Sequence, residues 1–304
     1  MQLVDSHIHF VSHNYLRLLT QLKHSLDDVD VYISEQAQRN HFEAPPSDPV
    51  RLADRWVIEM DRHGVSRSAV ITMTPGDEVS VSAALRVYPE RFIGVAVANP
   101  YLAVCEELLE HAVTEWGFRG IILYPALHRF SAASDRVYPI YRLARKHRLV
   151  VYVHFGRLRM PIRRWWGLPD VYDWNYSDPS DLHQPAADFP TVNFVVPSFG
   201  AGTLSKLLRL GLQCPNLHID TSSSNSWIED QSEFPDLRTA FARTLEVFGP
   251  GRVLFGSDSS FFPRGWRVPV YIEQKEILSE LGLSDHARAA IMGGNAQTLY
   301  GLDR

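Results

Sequence analysis

Short apolar runs recur along the chain, each followed by a polar loop and then a stretch with helical spacing. The runs fall at 3–7, 68–72, 92–97, 120–124, 149–154, 192–196, 217–220 and 253–258. They are continuous and rich in β-branched and aromatic residues, which predicts strands buried on both faces, as in a parallel sheet. Helical spacing fills the gaps at 48–63, 79–88, 102–116, 135–147, 203–212 and 235–248. In the first of these, Leu52, Trp56, Val57 and Met60 make the apolar face, and Gly64 is placed to end the helix. Eight strand–helix units predict an α/β fold, a (β/α)8 barrel, as a single domain over residues 1–304. Two connections are long, at 10–48 after the first strand and 155–190 after the fifth. Both follow strands, so both belong at the C-terminal mouth, where barrel active sites are built.

The polar residues at the strand ends carry the chemistry. His7 and His9 close the first strand, one residue apart, and a period of two places them in one row with Asp5. His154 ends the fifth strand and Asp258 the eighth. Each has a bland reading on its own, as a core histidine or a helix cap. Together, at the same end of parallel strands, they form a candidate site for one divalent ion. Three imidazoles and a carboxylate suit Zn²⁺ first, with Mn²⁺, Fe²⁺ or Co²⁺ as alternatives. Asp258 could also accept a proton from water.

Composition narrows the classes. A length of 304 residues suits one such barrel, and 45% hydrophobic with 21% charged residues is ordinary for a globular protein. A net charge of -5 gives no reason to expect nucleic acid or an anionic membrane as partner. Thirteen histidines are many for this length and favour metal or proton chemistry. Cys105 and Cys214 form no CxxC pair, so a thiolate zinc site is not expected. No apolar run approaches the roughly 20 residues of a membrane span, and no secretory pattern is visible, so the expected location is the cytoplasm.

Five segments resemble the amidohydrolase superfamily: Val4-Asp5-Ser6-His7-Ile8-His9, Gly117-Phe118-Arg119-Gly120-Ile121, Val151-Tyr152-Val153-His154-Phe155-Gly156, Phe255-Gly256-Ser257-Asp258 and Gly294-Asn295-Ala296. The resemblance is narrower to the branch containing aminocarboxymuconate-semialdehyde decarboxylase and related TIM-barrel metal-dependent hydrolases, the amidohydrolase 2 group. It implies a mononuclear metal, most often zinc, held by His7, His9, His154 and Asp258, and a homodimer. One position departs from the pattern. The sixth strand of that branch ends in a histidine followed by glycines, whereas this chain has Ser198 before Phe199-Gly200-Ala201-Gly202. Serine does not ionise near neutral pH and cannot replace an imidazole as general base. Three explanations compete: an inactivating replacement, a diverged site that recruits His183 or Asp258, or a barrel that has lost catalysis.

The fifth connection also holds Arg157, Arg159, Arg163, Arg164, Trp165 and Trp166, and arginine beside aromatics suits a carboxylate on a planar or unsaturated acid. A solvated lid or a subunit contact is the competing reading. Arg264 is a second candidate for an acidic group, and Ser222, in the run 220–225, is a candidate at the mouth. The leading expectation is metal-dependent hydrolysis of an ester, lactone or amide in a small organic acid. The alternatives are nonoxidative decarboxylation of an aromatic or unsaturated acid, and a non-catalytic barrel.

Overall fold

The computed structural model describes residues 2–25, 28–169, 171–223, 228 and 233–302. Its eight strands are β1 Leu3–His9, β2 Val65–Ile71, β3 Phe92–Ala98, β4 Gly120–Leu123, β5 Val150–Val153, β6 Asn193–Val196, β7 Leu217–Asp220 and β8 Val253–Leu254. They form one sheet in sequence order, every neighbouring pair parallel. This is the (β/α)8 barrel that the eight strand–helix units predict.

The ring joins β1 to the segment that follows β8. Ser6 N donates to Phe255 O at 2.9 Å, Asp258 N to His7 O at 2.9 Å and His9 N to Ser259 O at 2.7 Å. This explains why β8 is shorter than the run 253–258 predicts. Beyond Leu254 the backbone turns its hydrogen bonds towards β1, and Asp258 adopts φ +58°.

Alternation sorts the strand side chains into two cores. Val4, Ile71, Val95, Ile122, Tyr152 and Leu254 fill the barrel interior. Residues of the other parity, such as Val151, Val153 and Phe194, pack outwards against helix residues including Trp56, Tyr141 and Phe241. The helix Pro49–Arg62 shows how local sequence sets an end: Asp48 accepts from Val50 N, and Gly64 takes φ +68° just beyond the last turn.

The strand β1 breaks the simple alternation. Its pairing to β2 shifts register between Asp5 and Ile8, where Asp5 faces Ser68 but Ile8 faces Val70. One extra residue is accommodated, and parity reverses across it. Asp5 therefore does not share a row with His7 and His9. Val4 belongs to the interior, and Asp5 reaches Trp266 in the outer core.

The two long connections carry structure of their own. Residues 10–48 contain the helices His13–Gln21 and Val29–Arg39, and residues 155–190 contain Pro161–Trp165 and His183–Asp188. They share a third apolar cluster, in which Tyr15, Leu16, Ile33 and Phe42 pack with Ile162 and Trp166. Trp166 Nε1 donates to Thr20 Oγ1 at 2.8 Å, so its buried N–H is satisfied. Both cysteines are free and buried. Among the described residues no helix is long and apolar enough to cross a membrane.

Candidate metal centre

The end of β1 and the segment after β8 meet at the mouth. His7 Nε2 lies 3.3 Å from His9 Nε2, and His9 Nε2 lies 3.3 Å from Asp258 Oδ1. Donors held about 2.0–2.2 Å from a tetrahedral ion stand roughly 3.3–3.6 Å from one another. The spacing of these three atoms therefore fits a single small divalent cation.

A second carboxylate fixes the orientation of His7. Asp220 Oδ2, at the end of β7, lies 2.7 Å from His7 Nδ1. An N–H at Nδ1 donates to it and leaves the Nε2 lone pair facing the mouth. Burial disfavours charge on His7, but Asp220, with Asp258 and Asp5, outweighs it and raises the pKa. Gly256 makes this approach possible, because a Cβ there would lie 2.8 Å from Asp220 Oδ1 and 2.9 Å from His7 Cβ. His9 Nδ1 is buried with no hydrogen-bond partner among the described residues.

Asp5 braces the site from behind. Its Oδ1 accepts from His7 N and Ser257 N, both at 3.0 Å, and its Oδ2 accepts from Trp266 Nε1 at 2.7 Å. Burial raises its pKa to about 6 against the pull of those donors. The carboxylate thus ties the backbone of His7 to the backbone beside Asp258.

The structure brings together three of the four expected ligands. His154 lines the same cavity but stands outside the group formed by His7, His9 and Asp258. Its backbone N donates to Leu123 O at 2.9 Å, and its ring lies beside Tyr124, centroids 5.6 Å apart. Burial, with the charge of His7 next, lowers its pKa to about 4, so the imidazole is neutral at neutral pH.

The cavity holds about 280 Å³ and has a cationic wall of Arg157, Arg159, Arg264 and Arg267. Arg264 Nη2 donates to Ser260 Oγ at 2.6 Å, and its guanidinium sits 4.6 Å over Phe261. Arg267 was not singled out from sequence. Its Nη1 lies 3.5 Å from Asp258 Oδ2. Burial would raise the Asp258 pKa, but His9, His7 and Arg267 hold it well below the usual carboxylate range.

Ser198 also lines the cavity, with its Oγ 3.1 Å from Ser222 Oγ. It opens a run of left-handed backbone in which Ser198, Phe199, Gly200, Ala201 and Gly202 have φ of +56°, +50°, +75°, +39° and +105°. Each non-glycine residue there costs about 1–2 kcal/mol. Gly156 packs against this turn so closely that a Cβ would overlap the Gly200 and Ala201 carbonyl oxygens. The close backbone packing is thus served by Gly156, while Gly200 and Gly202 supply left-handed backbone, with open space where a Cβ at Gly202 would stand.

Other expected residues lie elsewhere. His183 is exposed at the start of its helix and does not reach the cavity. Trp165 stacks on Phe42, centroids 5.4 Å apart, and packs on the lid cluster instead of lining the cavity. Ser222 is buried behind Ser198, while Ser223 lines the cavity. Residues 224 and 225 of the same run lie outside the described residues.

The amidohydrolase family model matches residues 4–302. The chain belongs to the amidohydrolase family. Its fold is similar to that of 5-carboxyvanillate decarboxylase from Sphingomonas paucimobilis, with TM-score 0.65, 14% identity and 99% of each chain covered. The enzyme of the same name from Novosphingobium aromaticivorans, complexed with manganese and a nitrobenzoic acid, gives TM-score 0.65 and 13% identity over 99% of this chain and 96% of that one. A probable 2-pyrone-4,6-dicarboxylic acid hydrolase from Acinetobacter baumannii, with citric acid bound, gives TM-score 0.60 and 16% identity over 99% of this chain and all of that one. At these identities the likeness to this amidohydrolase is one of fold. The similar structures include both decarboxylases and hydrolases.

Proposed function

We propose that this chain is a metal-dependent hydrolase of an ester, lactone or amide bond in a small organic acid. The observation that carries the reading is the proton inventory of the cavity. Hydrolysis needs a group that accepts a proton from water, whereas decarboxylation must end by protonating carbon. Ser198 stands at the end of β6 where an imidazole donor would serve the second reaction. Tyr15 and Tyr124 hold their protons tightly, because burial raises both pKa values. Asp258 is an anion at neutral pH. Among the described residues of the cavity, Asp258 is therefore the candidate base, and no imidazole stands at the end of β6 to protonate carbon.

His7, His9 and Asp258 would hold the ion, with His154 on the adjoining wall. When bound, a divalent ion supplies Lewis-acid polarisation of a carbonyl and eases ionisation of water. Zinc fits the three donors, and manganese is the metal named for one similar structure. Asp258 accepts a proton as water adds to the carbonyl carbon, and returns it to the departing oxygen or nitrogen. The four arginines hold the carboxylate of the substrate.

The test is turnover of a panel of lactones, esters and amides of small acids, with and without chelator, alongside carbon dioxide release from aromatic acids. Chelator-sensitive hydrolysis that falls about 10²–10⁴-fold in Asp258→Asn is the expected result. Carbon dioxide release without hydrolysis would overturn it. Failure to take up any metal, with no turnover, would leave a non-catalytic barrel.

A further inference from the structure

Two tyrosine hydroxyls meet in the apolar interior of the barrel, and the proposed hydrolysis uses neither. Tyr152, in β5, is fully buried among Val4, Ile122 and Val195. Tyr300 is buried just beyond the last helix, Asn295–Leu299. Tyr300 Oη donates to Tyr152 Oη at 3.1 Å, and Tyr152 Oη donates to Ser6 O at 3.1 Å. In a ring of eight strands β5 stands opposite β1, so the hydroxyl reaches across the barrel to the backbone of β1. Tyr152 precedes His154 by two residues and shares its face of the strand, one layer below the cavity.

The carbonyl it reaches lies where β1 departs from regular pairing. Ser6 and His7 are the residues between Asp5 and Ile8, across which the register to β2 shifts. The ladder that fixes a strand is disrupted at such a point, and other groups must hold the backbone. Here Ser6 N and Ser6 Oγ donate to Phe255 O at 2.9 and 2.7 Å, His7 N donates to Asp5 Oδ1 at 3.0 Å, and Tyr152 supplies a donor to Ser6 O. The edge of the Tyr152 ring also meets the His7 imidazole, centroids 6.1 Å apart and planes at 85°. The irregularity sets the parity of His7 and His9, so whatever holds it keeps their rings at the mouth. Barrel interiors are filled chiefly by branched apolar side chains, and a buried hydroxyl there is unfavourable unless bonded. Bonded in series, these two select one arrangement of β1.

We propose that Tyr152 is a positioning residue for the metal centre. Its hydroxyl holds the irregular turn of β1 in the form that aims His7 and His9 at the ion, and Tyr300 orients that hydroxyl. The link to the ion rests on the reading of His7, His9 and Asp258 as a metal site; the brace on β1 does not. The last residues of the fold thereby act on the site from the far side of the barrel.

Two readouts on the full chain test this, neither of them turnover. The first is amide deuterium exchange of the metal-free protein. Tyr152→Phe should speed exchange at Ser6 and His7 about tenfold or more and leave β3 protected. The second is Co²⁺ binding, followed by its visible absorption. Tyr152→Phe should weaken it about tenfold and change the band shape, which reports the donor geometry. Tyr300→Phe should act in the same direction, more weakly, and add nothing in the Tyr152→Phe background. Ile122→Val, which trims the residue paired with Tyr152 in the same interior layer, should leave both readouts unchanged. Unaltered exchange at Ser6 and His7 in Tyr152→Phe overturns the brace. So does acceleration spread evenly over all strands, or an equal change in Ile122→Val. Local loosening with Co²⁺ binding unchanged overturns the link to the metal donors. An unsubstituted protein that takes up no Co²⁺ counts against the metal site and overturns that link, while the exchange result still decides the brace.

Discussion

At the scale of single residues, Asp220 decides which nitrogen of His7 faces the mouth. Its removal leaves the ring free to take the other tautomer and to rotate. Asp220→Asn should weaken metal binding about 10–100-fold in a chelator competition. The double substitution His7→Ala/His9→Ala should abolish bound metal in elemental analysis, since it removes two of three converging donors. The three donors themselves were legible, because each closes a predicted strand. Arg267 was not, because nothing in a loop nine residues past Asp258 announces that its guanidinium turns back on the carboxylate. Asp5 was visible as a residue but misplaced, since a period of two cannot register the extra residue in β1.

At the scale of elements, the left-handed turn after β6 and the loop after β5 hold each other. Gly156→Ala should destabilise the protein by about 2 kcal/mol or more, read by denaturant unfolding, because the new Cβ meets backbone and the residue must keep φ +75°. The same change should depress turnover, since Arg157 N donates to Ala201 O at 2.7 Å within that contact. The start of the helix Glu78–Val87 carries a different signature. Burial raises Asp77 to about 6 and Glu78 to about 7, from ordinary values of 3.8 and 4.5. The fold favours the protonated forms, so their contribution is complete below about pH 4 and is lost as pH rises through 7. Melting temperature should therefore fall between pH 5 and pH 8, and Glu78→Gln should flatten that slope. Neither feature was legible in the sequence. Left-handed backbone at Ser198, Phe199 and Ala201 contradicts their local preferences and is imposed by packing.

At the scale of the whole molecule, the two long connections pack as one unit because they share an apolar core. Trp166→Ala should cost about 3–5 kcal/mol in unfolding and loosen both connections together, seen as faster proteolysis of each. The barrel order was readable because parallel strands buried on both faces leave unbroken apolar runs. The lid helices were not, because their order depends on contacts between segments more than a hundred residues apart, such as Thr20 with Trp166. The closure of the ring has a thermodynamic consequence. The bonds that join β1 to the segment after β8 are made by the same few residues that carry His7, His9 and Asp258. An ion that bridges those side chains also spans the joint, so ligation and barrel closure are linked, and the gain in stability grows with free ion as RT ln(1 + [L]/Kd). Amide deuterium exchange should show this directly. Removal of the ion should accelerate exchange first at Ser6, His9 and Asp258, while β3 to β6 stay protected to the level of global unfolding.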